Sequence, residues 1–371
     1  MSIVSTLAVF TVCEIGSRFY PLSTDEAPQR YLMWSSPTFE VDPHGAVTLA
    51  KNARIRDVAV YDGKIEYDMF YQTNDFGSPD TVNYGEAGGQ NTGGRRVAFV
   101  GDSFAAGQGG HDWFSKLRGS LQASKSSSLI YNFSLPGASV SHFEKTLRSV
   151  SEKLEFTDIV LCAISDDFLR TYWKPVERNG IIYFCTDPEM KGDASSEVAT
   201  VIGKDASELE ILDHVKAVEV RHQQEAGERQ QRMSRGQTAW SGAGRLLKRS
   251  RFLHWVDGRR RIFIHQQKER EKEIDLAPLM SIKALFPNAR IALFHLPQKD
   301  EVISGRYDRE LQKRVEFLGM TYIPALHKYH WDRSMFHVKD SHPNDAGYDK
   351  ISEVVKEWLI ELDKTTTLST V

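Results

Sequence analysis

The sequence predicts an α/β protein: a three-layer α/β/α arrangement around a central parallel sheet of five strands, preceded by a small β-rich region and interrupted by a helical insertion. Three observations carry this prediction. Five short, continuously apolar runs recur after residue 95, helix-length amphipathic segments separate them, and the first three end in Gly-Asp, Pro-Gly and paired acids. Strands that are apolar along their whole length are buried on both faces, and strands alternating with helices build a parallel sheet covered on both sides.

The five runs are "RRVAFVGD", "SLIYNFSLPG", "TDIVLCAISDD", "NARIALFHLP" and the weaker "GMTYIPA". The helical segments are "HDWFSKLRGSLQ", "SHFEKTLRSVSEKL", "LAPLMSIKALF" and "YDRELQKRVEFLG". A last helix, from Ala346, places Tyr348, Ile351, Val355, Trp358, Leu359 and Leu362 on one face. Residues 95–371 therefore form the α/β domain. Before it, residues 23–94 read as short strands and a linker. "TFEVDPHGAVTLA" and "VAVYDGKIEYDMFYQTNDFG" alternate by twos and break at Asp-Pro, His-Gly and Asp-Gly, and "EAGGQNTGGRR" is the flexible connection. Within the domain, residues 170–275 break the alternation. "VERNGIIYFCTD" predicts a hairpin on Asn-Gly, residues 205–235 a charged helix, and the stretch beyond a basic cap segment.

The chain has 371 residues, enough for a large core, and its net charge of −3 gives no basic excess that would indicate nucleic acid. Cys13, Cys162 and Cys185 cannot all pair and lack metal-like spacing, so neither a disulfide framework nor a zinc cluster is expected. Residues 1–22 begin with the apolar "SIVSTLAVFTVC", shorter than the roughly 20 residues of a membrane-spanning helix and without the positive start of a secretory signal. A buried element and a shortened anchor both fit it.

Residues at the carboxyl ends of parallel strands line one crevice. Ser103 follows the first strand, and Asp340 and His342 follow the fifth, so a serine, a histidine and an aspartate can converge on that edge. A serine hydroxyl needs a base within hydrogen-bond reach to become a nucleophile, and a histidine base needs a carboxylate to hold its tautomer and stabilise the imidazolium. Asp340, two residues before His342, can meet the far ring nitrogen from the same loop. The plainer readings are a helix-capping Ser103 and a surface His342 before the last helix. Neither accounts for the three residues together. Asp102 is expected to hold the turn.

In these residues the chain resembles the SGNH, or GDSL, hydrolase superfamily. "FVGDSFAAG" is similar to the first motif of that superfamily, "NFSLPGAS" to the second, and "DSHPN" to the last. The resemblance spans roughly residues 95–362. It implies a flavodoxin-like five-stranded fold, Ser103 as nucleophile, His342 as base, Asp340 as its partner, and the Ser103 and Gly137 amides as an oxyanion hole. The third motif departs: the superfamily has Gly-x-Asn-Asp, and here "AISDDF" puts Asp166 where a donating asparagine is expected. An ionised carboxylate cannot donate, and losing one such donor costs about 10²–10³ in rate. A protonated Asp166, a donating Ser165, or reduced activity would each reconcile the motif with the rest. The start of the chain also resembles membrane-anchored bacterial SGNH proteins, in "CEIGSRFYP" and "YQTNDFGSPD", although Ser78 and Pro79 stand where an arginine is common.

Other clusters weigh less. His337, Asp340, His342 and Asp345 contain metal-ligand types but nothing completes a shell. Gly107, Gly109 and Gly110 lack the lysine of a phosphate loop and read as a flexible loop. His111, His142 and His295 read as structural or solvent-facing, with His111 and Trp113 also candidates for the crevice wall. Trp240 and Trp255 read as cap packing. The basic segment Arg245 to Arg261 fits a solvated helix or an anionic membrane face.

The reading that results is a serine esterase or O-acyltransferase that needs no cofactor or metal and acts on acylated carbohydrate or another ester, not on nucleic acid. It is expected outside the cytoplasm, periplasmic or membrane-anchored. The alternative is a non-catalytic relative that binds surface glycans or partners in polysaccharide assembly.

Overall fold

A computed structural model of the chain describes residues 30–87, 94–186, 196–235, 274–305 and 309–368. The apolar start, most of the linker, Trp240, Trp255 and the basic segment lie outside these residues. The chain divides into two compact units, one of Arg30–Ser207 with Ile274–Val371, the other of Met1–Gln29 with Glu208–Glu273. Among the described residues no helix is long and apolar enough to cross a membrane.

The first unit holds two main sheets. The parallel one contains β6 (Arg96–Gly101), β7 (Leu129–Asn132), β8 (Asp158–Ala163), β12 (Arg290–His295) and β13 (Thr321–Pro324), in the order β13-β12-β8-β6-β7. These are the five apolar runs, in the flavodoxin-like order. Because β6 lies between β7 and β8, the chain reverses direction across the sheet there, and in open α/β sheets ligands bind at such a switch point, beyond the carboxyl ends of the strands.

Alternation along each strand assigns its side chains to two layers. Val97, Phe99, Val160, Cys162, Ala292 and Phe294 pack with Trp113, Leu117, Tyr348, Ile351 and Val355 from α3 (Trp113–Ala123) and α10 (Asp345–Leu368). Ala98, Val100, Ile159, Leu161 and Leu293 pack with Phe143, Leu147, Leu279 and Ile282 from α4 (Val140–Val150) and α6 (Ala277–Leu285). This second layer also contains Val47, Leu49, Ile55, Tyr71 and Tyr84, so the N-terminal region shares the domain's core.

The other sheet is where the structure goes beyond the sequence reading. β1 (Arg30–Ser35), β4 (Arg54–Tyr61) and β5 (Lys64–Gln72) come from the N-terminal region. β9 (Lys174–Arg178), β10 (Ile181–Cys185) and β11 (Ser196–Ile202) come from the insertion, which is therefore not wholly helical. β1 and β11 run parallel and join the two halves into one sheet of order β5-β4-β1-β11-β10-β9. The hairpin expected on Asn179-Gly180 is present, and the Asp62-Gly63 break is a second one; both pairs have positive φ throughout, as a primed turn requires. β2 (Phe39–Val41) and β3 (Val47–Leu49) form a separate ribbon. The charged stretch forms helix α5 (Glu208–Arg235) in the second unit.

Gly101 ends β6 at the closest approach of the neighbouring strand. A Cβ there would sit 2.5 Å from the Cys162 carbonyl oxygen and against the Ala105 methyl. Gly101→Ala is expected to lower stability by about 1–3 kcal/mol, read as an earlier urea midpoint with unchanged slope.

Candidate active site

The turn after β6 presents Ser103 at the first position of the short helix α2 (Ser103–Ala106). Asp102 caps it: its Oδ1 accepts the Phe104 amide at 2.9 Å, and Gly107, left-handed, closes the other end on the Ser103 carbonyl. The Asp102 carboxylate thus holds the turn, as the sequence suggests. Its Oδ2 also lies 3.4 Å from Ser103 Oγ.

The loop before α10 brings His342 to the same place. Ser103 Oγ lies 2.8 Å from His342 Nε2, and His342 Nδ1 is hydrogen-bonded to Asp340 Oδ1. The two-residue spacing accounts for the local geometry, because Asp340 Oδ1 also accepts the His342 backbone amide at 2.9 Å. A carboxylate can only accept, so Nδ1 carries the ring proton and Nε2 faces the serine hydroxyl with its lone pair. The loop is fastened by the His337 amide on the His342 carbonyl at 3.0 Å and by Asn344 on the Ser334 carbonyl at 2.7 Å. Asn344 caps α10, which starts one residue earlier than expected, at Asp345.

Asp340 is almost fully buried. Burial alone would push its carboxyl up, but His342, Arg30 and Tyr61 together hold it well below the ordinary carboxylate range. Tyr61 Oη donates to Asp340 Oδ2 at 2.6 Å, and Arg30 Nη2 lies 3.5 Å from the same oxygen. Both come from the N-terminal sheet. The sequence places Tyr61 in a strand but carries no signal for this contact, which joins residues 279 positions apart.

Gly137 follows β7 with φ +76. A Cβ there would fall 2.7 Å from Phe184 Cε2, and Phe184 is stacked on Trp173, whose indole donates to the Gly137 carbonyl at 2.8 Å. Neither the Ser103 nor the Gly137 amide makes a hydrogen bond among the described residues.

The altered third motif separates into three different environments. Asp166 is exposed, and its Oδ2 accepts from Gln298 Nε2 at 3.0 Å. Ser165 Oγ donates to Glu301 Oε1 at 2.5 Å and lies 3.1 Å from His295 Nε2, so its proton is already engaged. Asp167 is the buried acid. Burial first, and Asp102 second, push its carboxyl well up, against Arg170. Arg170 Nη1 contacts Asp167 Oδ1 at 2.8 Å and Asp102 Oδ2 at 3.3 Å, placing a cation behind the serine.

Other candidates go elsewhere. His337 Nε2 meets the Gly109 carbonyl at 2.6 Å, and Asp345 accepts from His111. No group of three or more metal-ligating side chains forms among the described residues. The glycine loop read as flexible is pinned by that His337 contact and by Gln108, which is buried and donates to Tyr67 Oη at 3.0 Å. Trp113 does not line the crevice: it is buried and donates to the Ala105 carbonyl. His142 is buried, pushed down to about 3 by desolvation, and its ring joins Ser139 to the Trp173 carbonyl.

No family model matches the chain, and no curated protein matches it. Among solved structures it is similar to a family 3 carbohydrate esterase from Clostridium thermocellum, at 11% identity over 73% of this chain and 98% of that one, with a TM-score of 0.34. It is also similar to a lipolytic protein of the G-D-S-L family from Veillonella parvula, at 10% identity over 71% and 96%, TM-score 0.34. A lipase/acylhydrolase from Enterococcus faecalis gives 8% identity over 71% and 95%, TM-score 0.34. Likenesses this distant decide nothing about chemistry, which the chain's own residues must carry.

Asp57, on β4, is fully buried, and neither carboxylate oxygen has a hydrogen-bond partner among the described residues. Trp34 stands opposite it across β1, with its indole N–H out of hydrogen-bond geometry. Burial pushes the Asp57 carboxyl up to about 7. The folded protein therefore keeps a proton that the unfolded chain releases near pH 4. This group's favourable contribution is complete below that pH and is lost as pH rises to about 7. Between pH 5 and 8, urea unfolding of Asp57→Asn should show a fall in stability smaller than that of wild type by up to about 3 kcal/mol.

Proposed function

We propose that the protein is a serine esterase, or an O-acyltransferase using the same acyl-enzyme, acting on acyl groups of a carbohydrate or another ester. The observation that carries the reading is the 2.8 Å approach of Ser103 Oγ to His342 Nε2, with Nδ1 held by Asp340. Ser103 Oγ attacks the ester carbonyl carbon and passes its proton to His342 Nε2. The carbonyl oxygen becomes an oxyanion beside the Ser103 and Gly137 amides, two donors with no other partner among the described residues. The tetrahedral centre collapses, and the leaving oxygen takes the proton from Nε2. Water or an acceptor hydroxyl then gives its proton to Nε2 and attacks the acyl-serine, and Ser103 recovers that proton as the acyl group leaves.

In this scheme Asp166 plays no part as a donor, because it accepts from Gln298 at the surface. Asp340, held low by His342, Arg30 and Tyr61 against its burial, stays ionised across the working range and keeps its hold on His342 Nδ1. Association with an acylated surface polysaccharide outside the cytoplasm remains part of the proposal, supported by the resemblance at the start of the chain.

A fluorophosphonate probe should label wild type at Ser103, and Ser103→Ala should lose labelling and at least about 10³-fold in p-nitrophenyl acetate turnover. Unchanged turnover in Ser103→Ala rejects the assignment. Gly137→Ala, which forces an L side chain into a left-handed backbone against Phe184, should lower kcat by about 10²–10³ with little change in KM. The altered third motif favours one second reading, a non-catalytic glycan-binding relative. It prevails if no acyl-enzyme forms on acetylated glycans while glycan binding survives in Ser103→Ala.

A further inference from the structure

The constellation read as catalytic has two more members outside the α/β domain. Arg30 and Tyr61 are register partners at the adjoining ends of β1 and β4, so their side chains leave the sheet on one face. Both reach Asp340 Oδ2, the oxygen that His342 does not use. We propose that Tyr61 and Arg30 are positioning residues for the Ser103–His342–Asp340 reaction, acting through the Asp340 carboxylate. The proposal rests on the reading of that constellation as catalytic.

The physical argument starts from burial. Asp340 Oδ1 is occupied by the His342 ring and amide. Without donors, the buried Oδ2 would carry an unmet desolvation cost. It would also let the carboxylate turn and exchange its oxygens. The Tyr61 hydroxyl removes both problems with one hydrogen bond. Burial pushes that phenol up, so it remains a donor throughout the working range. Arg30, half-exposed, adds a cation whose charge is sustained by Asp340 against desolvation.

The arrangement also has an electrostatic consequence. A donor and a cation on Oδ2 draw charge from Oδ1, the oxygen that faces the imidazole, so removing either should change the field at the base. The other titratable groups that sense this carboxylate are Asp57 on β4, Tyr67 on β5, Lys299 on α7 (Lys299–Ser304) and Tyr348 on α10. Of these, Asp57 titrates within the assay range, so it must be controlled.

The test compares kcat/KM against pH for p-nitrophenyl acetate in wild type, Tyr61→Phe, Arg30→Met and Arg30→Lys, each also in an Asp57→Asn background. Tyr61→Phe should lower kcat about tenfold with KM within about twofold, and move the acid limb up by about half a pH unit. Arg30→Met should move the limb in the same direction, and Arg30→Lys should restore it. Mere packing roles would leave the limb in place. Folded variants whose limbs superimpose on that of wild type overturn the proposal while Ser103 labelling leaves the esterase reading intact. Absence of labelling in wild type overturns both.

Discussion

A buried ionised carboxylate constrains everything around it. Asp340 is almost out of solvent, yet it must stay charged to hold the His342 tautomer, and a buried charge persists only when its oxygens are paired. The loop itself supplies two donors to Oδ1. The remaining oxygen can be satisfied only from outside the loop, and Tyr61 and Arg30 do so. The chemistry of one side chain therefore ties the C-terminal loop to the N-terminal sheet, two regions at opposite ends of the described chain.

The same sheet reaches Gly137 through the insertion. Phe184 on β10 stacks face to face on Trp173, with Phe39 against the edges of both rings and Trp34 beyond. This aromatic group backs Gly137, where a Cβ would fall 2.7 Å from Phe184 Cε2. Aromatic burial of this kind supplies large dispersion and hydrophobic terms, and the Trp173 indole N–H finds its partner in the Gly137 carbonyl. It fixes the backbone of the second motif, while the glycine leaves the amide side of that backbone clear.

Behind the serine the charge balance is unusual. Asp102 and Asp167 are both buried, with Arg170 between them. Two adjacent buried carboxylates cannot both ionise cheaply, and burial, then Asp102, push the Asp167 carboxyl well up against the pull of Arg170. Asp102 meanwhile caps the helix that carries Ser103. The third motif reads as an anomaly at Asp166 only while its three polar residues are treated as equivalent. In the fold they face Glu301, Gln298 and Arg170 respectively.

Much of this was legible in the sequence because the relevant forces act locally. Continuous apolar runs separated by amphipathic segments determine a parallel sheet with helices on both faces, since no other arrangement buries both faces of each strand. Asp-Gly and Asn-Gly determine their hairpins, because few residues adopt left-handed φ. Asp340 and His342 determine their own hydrogen bonds, because a carboxylate two residues ahead reaches both the amide and the ring. Tertiary structure alone decided that Tyr61 and Arg30 complete Asp340, that β11 joins β1, that Asp167 rather than Asp166 is buried, and that the glycine loop is pinned. Each of these rests on contacts between residues distant in sequence. Their energies come from desolvation and close packing in the assembled fold, and no spacing or composition along the chain records them.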